Sequence, residues 1–226
     1  MTESLQAALY PLGFISALFF GARFFLQWLH SEKEGRSTVP RIFWQLSFFG
    51  NLSLSIHSII QLQLHVLLIQ TVNAVISLRN LNLMQEKDKR WPLSSVILLF
   101  VLALTASLFL FFLTFQGSSS ETWFRIPTGP WASSSAAAVP VLWHIAGSIG
   151  LILFSSRFWV QWVMAEREGK SFLGKTFWWT SLAGDLLCLA YFMQLQDTVN
   201  YVGPLFGLIP YLRNLMLIYK RGKVPV

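Results

Sequence analysis

The stretch Arg23-Phe24-Phe25-Leu26-Gln27-Trp28, followed by Glu32, Glu34, Gly35 and Ser37, occurs twice in this chain. It returns as Arg157-Phe158-Trp159-Val160-Gln161-Trp162, followed by Glu166, Glu168, Gly169 and Ser171. The same offset of 134 residues carries Phe43-Trp44 onto Phe177-Trp178, Ser47 onto Ser181, Gly50 onto Gly184 and Arg79-Asn80-Leu81 onto Arg213-Asn214-Leu215. About 21 of 72 aligned positions from Gly13 to Met84 are identical without a gap, the mark of a duplicated folding unit. Any fold must accommodate two copies of one unit and whatever joins them.

The unit is a membrane unit. The chain is 54% hydrophobic and only 12% charged, with a mean hydropathy of +0.53 and apolar runs near 20 residues long, which sets it apart from soluble domains. Seven segments are long enough to cross a bilayer as helices: about 8–30, 41–62, 65–84, 93–115, 140–164, 175–196 and 199–219. The second and third are separated at Gln61-Leu62-Gln63-Leu64-His65, the sixth and seventh at Gln194-Leu195-Gln196-Asp197, because polar clusters at matching positions are better turns than kinks. The expected fold is thus an all-α polytopic membrane protein with a first three-helix repeat at 8–84 and a second at 139–220. Between them, residues 85–138 hold a linker helix at about 93–115 and a Ser/Pro-rich loop. The first apolar run follows Met-Thr-Glu-Ser-Leu, which lacks the positive start and cleavage site of a signal peptide, and is expected to be a retained helix.

Alternation of the connections across the membrane places Arg125 on the side of the N-terminus. It places Lys33, Arg36, Arg41, Lys87, Lys89, Arg90, Arg167, Lys170, Lys175, Lys220, Arg221 and Lys223 on the other, which by the positive-inside rule is cytoplasmic. The N-terminus is expected outside and the C-terminus in the cytoplasm. A three-helix unit needs one added helix before its second copy regains the same orientation, so the repeats are parallel, 3+1+3, the arrangement of SWEET transporters. This distribution, rather than a nucleic-acid partner, accounts for the net charge of +7.

Arg23 and Gln27 share a helix face, as do Arg157 and Gln161, and an arginine some turns inside an apolar helix needs a partner. Two readings stand. Either each arginine serves its helix end or pairs with Glu32, Glu34, Glu166 or Glu168, or Arg23, Arg79, Arg157 and Arg213, with Asn80, Asn214, Gln27 and Gln161, line a polar vestibule that takes an anionic ligand. Trp28, Trp162, Trp44 and Trp178 read as interfacial belt residues; the alternative, stacking on a sugar or packing the repeats, matters most for Trp28 and Trp162. Asp185, aligned with Asn51, puts an ionisable group inside the sixth segment, as a proton site or as the partner of an arginine. Ser47/Ser181 and Gly50/Gly184 permit close helix approach.

Residues 34–40 and their copy read as tight turns, with a glycine for the bend and a serine able to cap the next helix. Glu168-Gly169-Lys170-Ser171 is no phosphate-binding loop, since Met164 stands where the motif needs glycine and no strand precedes it; an anion at the following helix N-terminus is the remaining option. His30, His57, His65 and His144 lack ligand spacing, Cys188 is alone, and no nucleophile elbow, carboxylate pair or nucleotide loop occurs. No metal, cofactor or catalytic residue is assigned.

Arg-x-x-x-Gln-Trp, the following Glu and Ser, Phe-Trp-x-x-Ser-x-x-Gly and Arg-Asn-Leu together resemble the lipid A biosynthesis N-terminal domain family, a three-helix module related to the PQ-loop and SWEET/SemiSWEET superfamily. The resemblance covers both copies, about 144 of 226 residues. The second is nearer the family pattern, with Tyr191, Asp197, Gly203 and Tyr211 where the first has His57, Gln63, Ile69 and Ser77. Leu26 and Val160 stand where sugar-transporting relatives have a hinge proline. The resemblance implies an inner-membrane protein of Gram-negative lipid A or glycolipid metabolism, the module being named for its fusion to lipid-A-disaccharide synthases. Three functions follow as expectations: a transporter-like or lipid-handling protein for an anionic lipid or sugar phosphate, a scaffold that recruits a lipid-pathway glycosyltransferase, or an embedded glycolipid enzyme. Membrane lipids are the expected partners, and the sequence leans away from an enzyme.

Overall fold

The computed structural model describes residues 6, 8–116, 140–194 and 198–221, and among these it is helical apart from short turns and connectors. Seven long helices follow the seven expected segments: α1 (Gly13–Glu34), α2 (Arg41–Ile60), α3 (Leu64–Leu83), α4 (Leu93–Gln116), α5 (Val141–Glu168), α6 (Lys175–Gln194) and α7 (Thr198–Arg221). Single 3-10 turns, Tyr10–Leu12 with its proline and Lys87–Lys89, precede α1 and α4. The Ser/Pro-rich linker and Leu195-Gln196-Asp197 of the second expected turn lie outside the described residues.

Among the described residues, four helices are long and apolar enough to cross a membrane: α1 and α4 with their leading turns, α3 and α5. The others are held back by polar residues that face protein. α2 buries Ser47, Asn51, Ser55, His57 and Ser58, and α6 buries Ser181 and Asp185. α7 carries Pro204 and Pro210 in its interior, tolerated where neighbouring groups satisfy the freed carbonyls.

By contact the chain forms two compact units. The first takes α1 through Arg23 together with α2, α3 and α4; the second takes α1 from Phe24, the connector to Pro40, and α5, α6 and α7. In the first unit, the α2–α3 turn falls at the expected polar cluster. Leu62 adopts a left-handed conformation, φ 57°, unfavourable for a leucine by about 1–2 kcal/mol. Its side chain is fully buried with Leu67 and Phe111, and Ile59, Leu64 and Phe115 close the cluster. Burial of a leucine, worth about 1.5–3 kcal/mol, outweighs that cost.

The two α-helices that end in the repeated connectors stop alike. Gly35 and Gly169 both have φ 61°, and the next residue bonds back five positions, Arg36 N–H to the Ser31 carbonyl at 3.1 Å and Lys170 N–H to the Ala165 carbonyl at 3.2 Å. This is the glycine-terminated helix stop the sequence calls for. Ser37 departs from its expected role as a cap: its hydroxyl donates to Asn214 Oδ1 at 2.7 Å instead.

Candidate functional site

Identical residues make identical local bonds in the two copies. Gln27 Nε2 donates to the Thr38 carbonyl at 3.0 Å and Gln161 Nε2 to the Phe172 carbonyl at 3.1 Å, so each motif glutamine fixes the connector eleven residues on. Trp28 Nε1 reaches Glu32 Oε1 at 3.0 Å and Trp162 Nε1 reaches Glu166 Oε1 at 2.9 Å, one helical turn away. Ser47 and Ser181 each donate to the carbonyl four residues back at 2.6 Å. Phe43 and Trp44 pack edge to face at 5.0 Å and 89°, Phe177 and Trp178 at 5.1 Å and 87°. Trp44 and Trp178 are fully buried, so these two belong to the core and not to an interfacial belt; Trp28 and Trp162 are half-buried and tied to their glutamates.

The first unit holds Arg23, Arg79 and Asn80. Arg23 is 4% exposed; its Nη1 donates to Ser47 Oγ at 3.0 Å and its guanidinium lies 4.5 Å from the centre of the Phe20 ring. Arg79 Nη1 donates to Asn82 Oδ1 and to the Trp91 carbonyl, both at 2.8 Å, while the Trp91 N–H donates to Asn82 Oδ1 at 2.9 Å. Arg79 thus fastens the loop that leads into α4. Asn80 Nδ2 returns to the Ile76 carbonyl at 3.0 Å.

The second unit gathers Gln27, Trp28, Arg157, Gln161, Trp162, Asp185, Arg213 and Asn214. Arg157, 3% exposed, sits 3.5 Å over Phe154 with the rings of Phe24, Phe158 and Phe177 beyond it, and its Nη1 donates to the Tyr211 hydroxyl at 3.0 Å. Rings around a guanidinium replace part of the solvation it loses on burial. Tyr211 is where the copies differ, since Ser77 stands at the matching place and receives Asn51 Nδ2 at 3.4 Å. Asp185 is 1% exposed and its Oδ2 has no hydrogen-bond partner; it faces Gly207, where an added Cβ would come within 3.1 Å of it.

α1 and α7 meet through an amide pair. Gln27 Nε2 donates to Asn214 Oδ1 at 2.8 Å, and Asn214 Nδ2 donates to Gln27 Oε1 at 3.1 Å and to the Pro210 carbonyl at 2.8 Å. Beside it the Arg213 guanidinium grips Glu32 with two prongs, Nε on Oε1 and Nη2 on Oε2, the second at 2.8 Å. This is the pairing that the first of the two arginine readings expects.

Arg23, Arg79 and Arg157 therefore have protein groups around them as folded. The basic residues at an open cavity are two the sequence reading passed over as site residues, Arg36 and Lys170. A cleft of about 610 Å³ in the second unit is lined by these two, by Ser37 and Glu168, and by Phe172, Leu217 and Ile218 among others. The signal was available: 36 and 170 are equivalent positions, and both are cationic. Among the described residues no group of three His, Cys, Asp or Glu side chains is placed to hold a metal.

The chain matches the Lipid A Biosynthesis N-terminal domain family twice, over residues 12–82 and 146–216, two spans separated by the same 134 residues as the internal repeat. It is 37% identical over 225 residues to a protein of Chlamydia felis named lipid-A-disaccharide synthase, covering 98% of this chain and 35% of that one. The protein of the same name from Chlamydia muridarum is 38% identical over 215 residues, 95% of this chain and 35% of the relative. That from Chlamydia pneumoniae is 35% identical over 221 residues, with 98% and 35% covered. The chain spans about a third of the length of these relatives. No solved structure matches it at a significant level.

Proposed function

This chain belongs to the Lipid A Biosynthesis N-terminal domain family, and we propose from that membership that it serves lipid A synthesis as a lipid-handling module of the bacterial inner membrane. In this reading it holds an anionic glycolipid and presents it to a lipid-A-disaccharide-synthase-type glycosyltransferase. The observation that carries the proposal is that proteins named for that synthase align with nearly the whole of this chain while leaving two thirds of their own length outside the alignment. In those relatives the matching module and the remaining two thirds share one polypeptide under one synthase name, which supports giving the module of this chain a use on the same lipid. In an assay of a family synthase acting on its lipid substrates in proteoliposomes, adding this chain is expected to raise the rate about tenfold by local concentration. An unchanged rate overturns the proposal. The second reading, a scaffold that docks the enzyme through its basic face, is favoured by the clustering of Lys87, Lys89 and Arg90 at the α3–α4 loop. It predicts the same stimulation without any lipid bound to this chain.

The proposal includes the finer topology: all seven helices cross, 3+1+3 with parallel repeats, the N-terminus outside and the C-terminus in the cytoplasm. The basic residues on the connectors that follow α1, α3 and α5 support it. Single cysteines placed at Thr2 and at Lys223 in a Cys188→Ala background are expected to react with an impermeant maleimide on intact cells only at position 2. Labelling at 223 alone would invert the orientation.

A further inference from the structure

We propose that the cleft of the second unit binds the phosphomonoester headgroup of an acyl-chain lipid, with Arg36 and Lys170 on the phosphate and Phe172, Leu217 and Ile218 against the chains. The site is argued from geometry; that its occupant is a lipid A intermediate rests on the function proposed above.

The volume, about 610 Å³, lies within the range of roughly 300–1,000 Å³ usual for small-ligand sites. Its polar lining holds Ser37, Thr38 and one carboxylate, Glu168, beside Arg36 and Lys170, equivalent positions of the two connectors, so the duplication delivers two cations to one cavity and leaves cations in excess of carboxylates. Neither is committed to a strong partner. Arg36 reaches Glu34 and Lys170 reaches Glu168 only at 3.8 Å, with both pairs half-exposed to solvent. Exposed pairs at that distance contribute little, and a phosphate offers each cation a shorter, charge-assisted bond, in Arg36's case a bidentate one.

The connectors that carry these cations are themselves fixed. Gln27 holds the Thr38 carbonyl, Gln161 holds the Phe172 carbonyl, and Ser37 is bonded to Asn214. The basic side chains therefore project from anchored backbone, which lowers the ordering cost of binding. Phe172, Leu217 and Ile218 line the same cleft, so it offers cations and apolar surface together. A soluble sugar phosphate would leave the apolar surface in water. A phosphodiester offers the two cations a single negative charge, where a phosphomonoester offers up to two. A phosphomonoester on a lipid satisfies both the cations and the apolar surface.

The full chain in detergent is titrated with dioctanoyl phosphatidic acid and read by native mass spectrometry. Dioctanoyl phosphatidylcholine and glucosamine 1-phosphate form the comparison arms. Phosphatidic acid is expected to bind one to one, at least about tenfold tighter than either comparison ligand, and the Arg36→Gln/Lys170→Gln double substitution to weaken it by tenfold or more. Both substitutions are at exposed side chains, and an unchanged thermal midpoint verifies that the variant is folded. Equal binding of phosphatidylcholine, or wild-type affinity in the double variant, overturns the site. Glucosamine 1-phosphate binding as tightly as phosphatidic acid overturns its lipid character. No glycosyltransferase takes part, so headgroup binding without any effect on synthase rate would reject the function and retain the site, and stimulation without headgroup binding would overturn the site and favour the scaffold reading.

Discussion

Alanine at Gly184 is expected to destabilise the protein by about 3 kcal/mol, the upper end of what overpacking costs, and leucine there to prevent native folding. A Cβ on Gly184 would stand 2.7 Å from the Phe154 amide nitrogen and 3.0 Å from the Gly150 carbonyl oxygen. Both are backbone atoms of α5, so no rotamer change relieves the clash and the two helices have to separate. Gly150 makes the approach close from the other side, since a Cβ there would stand 2.8 Å from Leu187 Cβ and 3.0 Å from the Cys188 nitrogen. Association of membrane helices depends on such close backbone approach. The equivalent glycine of the first copy provides the internal comparison. A Cβ on Gly50 meets the edge of the Phe20 ring, at 2.6 Å from Cε1, and a phenylalanine can turn aside. Gly50→Ala is therefore expected to cost about 1 kcal/mol, and Gly21→Ala, with open space around it, to be neutral or slightly stabilising. Reversible unfolding in sodium dodecyl sulfate, followed by circular dichroism, ranks the three. If Gly184→Ala is no worse than Gly50→Ala, α5 and α6 are not held at backbone contact.

The features that were legible in sequence are those made within a few residues. A glutamine that bonds a carbonyl eleven positions ahead, a tryptophan that bonds a glutamate one turn on, and a glycine that stops a helix depend on local identity, so an ungapped repeat reproduces them. Helix positions were legible for the same reason, because length and apolar runs set them. Hydropathy along the chain is lowered where polar residues face inward. α2 and α6 carry Asn51 and Asp185 in their buried faces, and a count along the chain cannot tell an inward polar group from a solvated one. Partners far apart in sequence were not legible either. Glu32 stood among four carboxylates open to the arginines, but that it is Arg213, 181 positions away, that takes it, and that Tyr211 takes Arg157 while Ser47 takes Arg23, follow from which helices pack together, and the repeat offset is silent on that. The cleft is not legible in sequence because Arg36 and Lys170 are ordinary connector charges until the fold brings both to one cavity.

Asn214 is the residue on which that distant packing turns, and Asn214→Leu is expected to cost about 2–3 kcal/mol. The side chain is fully buried and serves four bonds, two with Gln27, one from Ser37 and one to the Pro210 carbonyl. Leucine preserves the volume but leaves the Gln27 carbonyl oxygen and the Ser37 hydroxyl facing an apolar surface. Removing both ends removes the orphan as well, so Gln27→Leu combined with Asn214→Leu is expected to cost less than the sum of the single changes. The coupling should be about 1–2 kcal/mol, large for a hydrogen-bonded pair between membrane helices. Glu32→Gln tests the neighbouring ion pair. Its side chains are 32% and 41% exposed, so solvent screens the attraction and the effect on unfolding should be the smaller one, diminishing further in added salt. The ordering decides what fastens α1 to α7: if Glu32→Gln destabilises more than Asn214→Leu, or the double-mutant cycle shows no coupling, the charged rim rather than the buried amide pair holds the two helices together.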